Sequence, residues 1–392
     1  MSSPIHAAKL GAELSRQEIQ HYSRHLIIPE IGIDGQRRLK GARVLLVGAG
    51  GLGSPAGLYL AAAGVGTIGI VDFDTIDVSN LQRQILYSVA DVGASKLECA
   101  VARLKSMNPH IQVVPHEQRI EASNALDLIG QYDLVVDGTD NFATRYLIND
   151  ACVLLGKPNV YASVFRFEGL LSLFNHDGGP CYRCLYPVPP PEGFAPSCAE
   201  GGVFGVLPGI MGALQAAEAI KLLTGVGSSL KGRLIQFDAL DMQFREFAIS
   251  RDPECCICSD QRTQHGLIDY ASFCGIGAAA ASDELTAPRI VDSHWLKAQR
   301  DSNAPMQLID VRSVEEFRIA RIDGARLIPL DEIEGLVDSL DPIVPIVCYC
   351  KSGVRSGRAA RYLKSKGYCD VASLEGGLLS WAKEIEHVAA IY

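Results

Sequence analysis

The stretch RVLLVGAGGLG, Arg43 to Gly53, decides how the first part of this chain folds. An apolar, β-branched run breaks into glycines, and the SPAGLYLAAAG that follows has helical composition, so the segment reads as strand, tight turn and helix. Glycines in such a turn, Gly51 among them, let the backbone approach a phosphate chain at the helix start, where free N–H groups and the helix dipole favour negative charge. Working outward, Thr67 to Val71 reads as a second strand ending in Asp72, Phe73 and Asp74, and Tyr132 to Val136 as a third ending at Asp137 and Asp140. Strands alternating with helices predict an α/β domain, Rossmann-like, with a mostly parallel sheet covered on both faces. Asp72, about 20 residues beyond the glycines at a strand end, is placed to bind ribose hydroxyls.

A glycine turn with a distant acidic residue also marks nicotinamide-dependent oxidoreductases. The residues beyond Asp72 separate the two readings. Asp77-Val78-Ser79-Asn80-Leu81-Gln82-Arg83-Gln84, then Gly93-Ala94-Ser95-Lys96, and later Asp137-Gly138-Thr139-Asp140-Asn141 with Arg145 bring cations and an acid to one nucleotide pocket. Hydride transfer has no use for them. Attack by a carboxylate on the α-phosphate of ATP does, because charge gathers on the phosphate and the leaving pyrophosphate, where cations and Mg²⁺ stabilise it. Arg83 and Lys96 suit the phosphates, and Asp140 suits Mg²⁺. The predicted ATP-binding set is Gly51, Asp72, Ser79, Asn80, Leu81, Gln82, Arg83, Lys96, Asp140 and Asn141. Arg145 and Asp74 read equally as structural ion-pair partners and stay outside it.

The 12 cysteines of the 392-residue chain follow a pattern of their own. Cys181-x-x-Cys184 and Cys255-Cys256-Ile257-Cys258 carry the spacing of a closed, structural four-thiolate zinc site built from Cys181, Cys184, Cys255 and Cys258. A redox dithiol, or cysteines packed as small apolar residues, is the alternative. Cys256 is a possible substitute ligand, although only Cys255 stands two residues from Cys258. Between the pairs, Gly178 to Gly209 is rich in Pro, Gly and Cys and reads as a long functional loop, and Met211 to Leu223 as a helix. Cys198 stands in that loop, where it either reaches an acyl-adenylate to form a thioester or mixed disulfide, or is a shielded spectator.

Residues 265–288 are small and polar and predict a linker between a first domain at 1–264 and a second, smaller α/β domain at 289–392. Within the second, PIVCYCKSGVRS, Pro345 to Ser356, is an apolar strand running into Cys350, a glycine-containing turn and a helix. That order aims several backbone N–H groups at the Cys350 sulfur and stabilises an anionic persulfide, with Lys351 and Arg355 adding to the field. A cysteine phosphatase needs its arginine six positions after the cysteine. Arg355 is five after Cys350 and seven after Cys348, so neither cysteine fits that rival. Cys348 and Cys369 read as buried or incidental.

Composition narrows the partners. A net charge of −9 argues against a nucleic-acid binder, which needs a basic face to displace counterions. No apolar run resembles a secretory signal or reaches the roughly 18 residues that suggest a membrane span, so the chain reads as soluble and cytoplasmic. Cysteines in such a chain point to metal ligation or thiol chemistry rather than a disulfide framework.

GAGGLGS, VDFDTIDVSNLQRQ, DGTDN, PCYRC and SCAEGGV, in this order, resemble the MoeB and ThiF family, relatives of the ubiquitin-activating enzymes, over about residues 15 to 260. The resemblance implies adenylation of the Gly-Gly terminus of a ubiquitin-like sulfur carrier, a structural zinc, and a homodimer in which Arg24 of YSRHLII enters the neighbouring active site. LIDVR (308–312), EEF (315–317), LEGG (374–377) and Trp381 make the second domain similar to rhodanese, with one departure: Ala320-Arg321-Ile322 replaces the usual Gly-His before Ile. The domain order is that of fused adenylyltransferase/sulfurtransferases.

Together these readings make Cys350, Cys198, Arg24, Arg83 and Asp140 the predicted catalytic residues. ATP adenylates the carrier, the Cys350 persulfide attacks the acyl-adenylate, and reduction, with Cys198 as one candidate, frees a thiocarboxylate. The sulfur donor is a cysteine desulfurase or thiosulfate, and the carrier one of molybdopterin, thiamine or cysteine synthesis. An NAD-linked oxidoreductase and a non-catalytic carrier-binding scaffold are the competing readings.

Overall fold

The computed structural model describes residues 8–190, 201–275 and 288–386. It divides into two units, Met1–Ala279 and Ala280–Tyr392. The first is built on an eight-stranded sheet of β1 (Arg43–Val47), β2 (Thr67–Val71), β3 (Gln112–His116), β4 (Leu134–Asp137), β5 (Asn159–Phe165), β6 (Glu168–Phe174), β7 (Arg233–Asp238) and β8 (Gln243–Ala248). Their spatial order is β3-β2-β1-β4-β5-β6-β7-β8. The pairs from β3 to β5 are parallel, and those from β5 to β8 antiparallel.

Val44 to Val47 are buried on both sheet faces, as a parallel central strand requires. Leu46 joins the core under the helices Gly53–Ala63 and Leu207–Thr224, and Leu45 the core under the helix Phe142–Leu155. At roughly 2 kcal/mol for each buried leucine, this two-sided burial holds β1 in place and so sets the position of the glycine turn at its end.

Two expectations need correction. The long loop predicted at Gly178–Gly209 contains a helical turn, Tyr182–Leu185, and ends early, because the long helix starts at Leu207 with Pro208 in its first turn. The predicted linker is not a linker in its first part. Leu267, Ile268, Tyr270 and Phe273 pack onto the core of the first unit, and the Tyr270 hydroxyl donates to Asp150 Oδ2 at 2.8 Å. Four spaced apolar residues among small polar ones were the trace of this docking in the sequence. Its anchor lies 120 residues upstream, beyond the reach of local patterns.

The second unit is a five-stranded parallel sheet of β9 (Arg289–Val291), β10 (Gln307–Asp310), β11 (Arg326–Leu327), β12 (Ile346–Tyr349) and β13 (Val371–Leu374), in the order β11-β10-β12-β13-β9. β12 is buried throughout and runs directly into Cys350. At the departure from the rhodanese pattern, Arg312 donates to the Ala320 carbonyl (2.6 Å) while paired with Asp310, and the Ile322 N–H donates to Tyr349 Oη (3.1 Å). Two buried contacts therefore hold the turn at Ala320-Arg321-Ile322. No described helix is long and apolar enough to cross a membrane.

Candidate functional site

A cleft of about 210 Å³ opens at the C-terminal ends of β1, β2 and β4, where ligands sit in doubly wound sheets. Its floor is the glycine turn. Gly48 has φ +90°, which favours glycine, and a side chain at Gly53 would collide with the Gly48 carbonyl. Asp72 braces this turn from β2. Its Oδ2 accepts from Ala49 N–H (2.8 Å) and its Oδ1 from Asp74 N–H (2.9 Å), which leaves further lone pairs for a ligand.

Of the predicted nucleotide residues, Gly51, Asp72, Arg83, Lys96, Asp140 and Asn141 line the cleft. Ser79, Asn80, Leu81 and Gln82 do not. They form the turn that delivers Arg83: Asp77 caps it by accepting from Ser79 N–H, Leu81 packs on the core, and Ser79 O accepts from Arg83 Nη1 at 3.0 Å. Lys96 is nearly buried, its side chain 8% exposed, and its Nζ meets Asp74 Oδ2 at 3.0 Å. Asp74, left outside the predicted set, thus holds the lysine at the cleft. Arg145 also lines it, donating to Thr139 O at 3.0 Å. Asp137, below, accepts from the Thr139 hydroxyl at 2.6 Å, and burial pushes its carboxyl above the ordinary range despite the pull of Arg145.

Asp140 stands exposed on the cleft wall, and among the described residues it has no ion-pair partner. Mg²⁺ takes one or two carboxylates plus phosphate oxygens, a demand this open carboxylate fits and the buried Asp137 does not. Asn141 is also the N-cap of the helix Phe142–Leu155, its Oδ1 accepting from Thr144 N–H. The sequence reading missed Gln118, Arg119 and Ile120, which line the cleft from the segment after β3, with the Arg119 guanidinium 4.4 Å over the Phe73 ring. Only the pairing of β3 with β2 brings them there. Arg24, on the short helix Ser23–Leu26, is exposed and does not line the cleft of its own chain.

The four cysteines predicted to bind zinc converge, with every Sγ within 4.8 Å of the others. Sγ separations are 3.6 Å for Cys181–Cys255, 3.8 Å for Cys181–Cys184 and 3.4 Å for Cys184–Cys258. Tetrahedral thiolates at the usual Zn–S distance would stand about 3.8 Å apart, so the set fits zinc, and it is far too open for disulfides. Cys256 is not part of it. Asp252 N–H donates to Cys184 Sγ at 3.4 Å. Between the first two ligands, Arg183 forms a buried bidentate pair with Asp150 (2.8 and 2.8 Å), which ties the knuckle to the helix whose first turn carries Thr144 and Arg145. Cys198 lies outside the described residues.

In the second unit Cys350 is 1% exposed. Gly353 N–H donates to its Sγ at 3.1 Å, and the Ser356 hydroxyl lies 3.7 Å from it. This differs from the expected cradle of several backbone N–H groups, because a side chain supplies the second donor. The Arg355 guanidinium is engaged by Glu316 in a bidentate pair (2.6 and 2.7 Å) and so clamps the loop to the helix Val314–Ile319. The LEGG match has a structural reason: a side chain at Gly377 would strike the Cys350 carbonyl, and Leu378 and Leu379 N–H donate to the Cys350 and Lys351 carbonyls (2.8 and 3.1 Å). Cys348 is buried and Cys369 exposed.

Residues 22–257 match the ThiF family and residues 292–384 the rhodanese-like domain. The chain is 51% identical to the probable adenylyltransferase/sulfurtransferase MoeZ of Mycobacterium tuberculosis, over 97% of each. It is 42% identical to the adenylyltransferase and sulfurtransferase MOCS3 of Bos taurus, over 98% of this chain and 90% of that one. The sulfur carrier protein adenylyltransferase of Thermus thermophilus is 51% identical over 67% of this chain and 98% of its own. Among solved structures, E. coli MccB with ATP superposes at a TM-score of 0.55 with 25% identity, over 62% of this chain and 75% of that chain.

Proposed function

The chain belongs to the ThiF family, with a rhodanese-like domain behind it, and we propose that it makes a thiocarboxylate on a ubiquitin-like sulfur carrier in two steps, one per unit. The observation that carries this reading is the near full-length match to adenylyltransferase/sulfurtransferases, in a chain that holds both the cleft over the glycine turn and the Cys350 loop.

In the first step a carboxylate oxygen of the carrier's terminal glycine attacks the α-phosphorus of ATP. The bond to the β-phosphate oxygen breaks, and pyrophosphate leaves. The glycine turn offers its N–H groups to the phosphates, Asp72 meets the ribose, and Arg83 and Lys96 face the developing charge. Asp140 would hold Mg²⁺, which supplies charge neutralisation at the phosphates. Arg24, exposed and outside the lining of its own cleft, serves the cleft of a second copy in a homodimer.

In the second step the terminal sulfur of a Cys350 persulfide, loaded from a desulfurase or thiosulfate, attacks the acyl carbon, and the C–O bond to AMP breaks. The product is an acyl disulfide on Cys350. A thiolate then attacks Cys350 Sγ, the carrier thiocarboxylate leaves, and a new disulfide remains for a cellular dithiol to reduce. The work is cytoplasmic, in keeping with described cysteines that are all free. The test is pyrophosphate exchange across candidate Gly-Gly carriers, with the product read by mass for replacement of oxygen by sulfur. Exchange with no carrier, or exchange without sulfur gain, would refute the reading.

Two further outcomes follow. Cys258→Ser removes one of four thiolates and should lose the bound zinc and lower the unfolding midpoint of the first unit by roughly 10 °C or more, since structural zinc binding is folding free energy. One zinc per chain retained in the variant would exclude the four-thiolate assignment. Cys198→Ala should keep adenylation and lose only part of the thiocarboxylate, about two- to fivefold, because the persulfide attacks the adenylate unaided and added reductant replaces a resolving thiol. Complete loss in the presence of dithiothreitol would make Cys198 an obligatory intermediate.

A further inference from the structure

Two buried serines behind Cys350 have no place in the steps above. Ser356 sits in the first turn of the helix Val354–Ser365, and Ser373 on β13. Their hydroxyl oxygens are 2.9 Å apart, and Ser356 Oγ is also 3.1 Å from the Gly353 carbonyl and 3.7 Å from Cys350 Sγ. Ser373 is paired in register with Cys348 in the middle of the sheet, where a hydroxyl is costly unless it is hydrogen-bonded.

Each hydroxyl has one proton and two lone pairs. Ser356 therefore cannot donate to Ser373, to Gly353 O and to the sulfur at once. When Ser373 donates to Ser356, the Ser356 proton is left to choose between the carbonyl and Sγ. Against a neutral sulfur the nearer carbonyl wins. Against a charged sulfur the bond is charge-assisted and about twice as strong, so the hydroxyl turns to Sγ.

We infer that Ser356 stabilises negative charge on Cys350 Sγ during sulfur transfer, and that Ser373 is a positioning residue that keeps Ser356 turned to donate. The inference rests on the sulfur-transfer reading of Cys350. Sγ carries that charge as the thiolate that attacks the donor's sulfane sulfur during loading, and regains it when cyanide takes the terminal sulfur of the persulfide, because the S–S bond breaks and its electron pair returns to Sγ. That atom is shielded from water and faces the Gly353 N–H and the Ser356 O–H. Preorganised donors aimed at a buried atom that gains charge are worth more than the same donors in water.

The test uses the full chain, loaded with thiosulfate, freed of excess donor and discharged by cyanide in a single turnover with thiocyanate as the readout. Ser356→Ala should slow discharge about tenfold, the equivalent of one charge-assisted hydrogen bond. Ser356→Thr, which keeps the hydroxyl, should stay within about twofold of the parent. Ser373→Ala should slow discharge about threefold in the parent and no further in the Ser356→Ala background, because it acts through Ser356. A lost packing contact would lower the unfolding midpoint without producing this coupling. Parental discharge by Ser356→Ala, a folded Ser356→Thr as slow as Ser356→Ala, or a Ser373→Ala effect that persists without Ser356 would each overturn the inference. A parent chain that takes no sulfur onto Cys350 would instead overturn the sulfur-transfer reading itself.

Discussion

Asp140→Ala abolishes carrier adenylation, lowering pyrophosphate exchange by at least about 100-fold, while thiosulfate still loads Cys350. The carboxylate is exposed on the cleft wall without an ion-pair partner among the described residues, so its removal costs the fold little. What is lost is the one carboxylate lining the cleft, among the described residues, that is both exposed and without an ion-pair partner. Asp72 has one oxygen on the glycine turn, at Ala49 N–H, and the other on Asp74 N–H, Asp74 is paired with Lys96, and Asp137 is buried below. None of them can take over the role of an acid facing the phosphates. Sulfur loading survives because the Cys350 loop, its clamp to Glu316 and its sheet belong to the other unit. Exchange at the parental rate would remove Asp140 from the metal role and leave the cleft without an assigned magnesium ligand.

Cys350→Ala has the opposite profile: pyrophosphate exchange persists and no thiocarboxylate forms with thiosulfate as donor. Cys350 is the cysteine at the end of β12 whose sulfur meets Gly353 N–H and the Ser356 hydroxyl, and Cys348, two residues earlier, is enclosed in the sheet. Burial drives the Cys348 thiol up to about 12, so it stays protonated at neutral pH and cannot substitute as a nucleophile. The variant leaves the Gly353 N–H without its sulfur acceptor, a cost of about 1 kcal/mol that a buried five-stranded sheet tolerates. Mass spectrometry of the carrier after a single turnover decides the matter. Normal thiocarboxylate from this variant would mean that sulfur bypasses the second unit, and the mechanism would be wrong.

Residue patterns a few positions long were enough to predict that the chain folds as two α/β units, that a glycine turn ends β1, that two C-x-x-C pairs meet, and that β12 delivers Cys350 to a turn before a helix. Such features are local because strand, turn and helix are written in φ, ψ preferences and in apolar periods of two or 3.6 residues. Which charges are spent on the fold and which remain for chemistry was decided only in three dimensions. Arg355, next to the reactive loop in sequence, is taken up by Glu316, 39 residues away, and Asp74 takes up Lys96 from 22 residues away. Asp150 looks unremarkable in its helix, yet it gathers Arg183 from the zinc knuckle together with Gln264 and, from the supposed linker, Tyr270. The Ser373 hydroxyl reaches the sulfur only through Ser356. The physical reason is common to all of these: the partner that satisfies a buried charge or hydroxyl comes from whichever distant segment the packed core places beside it, and no local pattern encodes that neighbour.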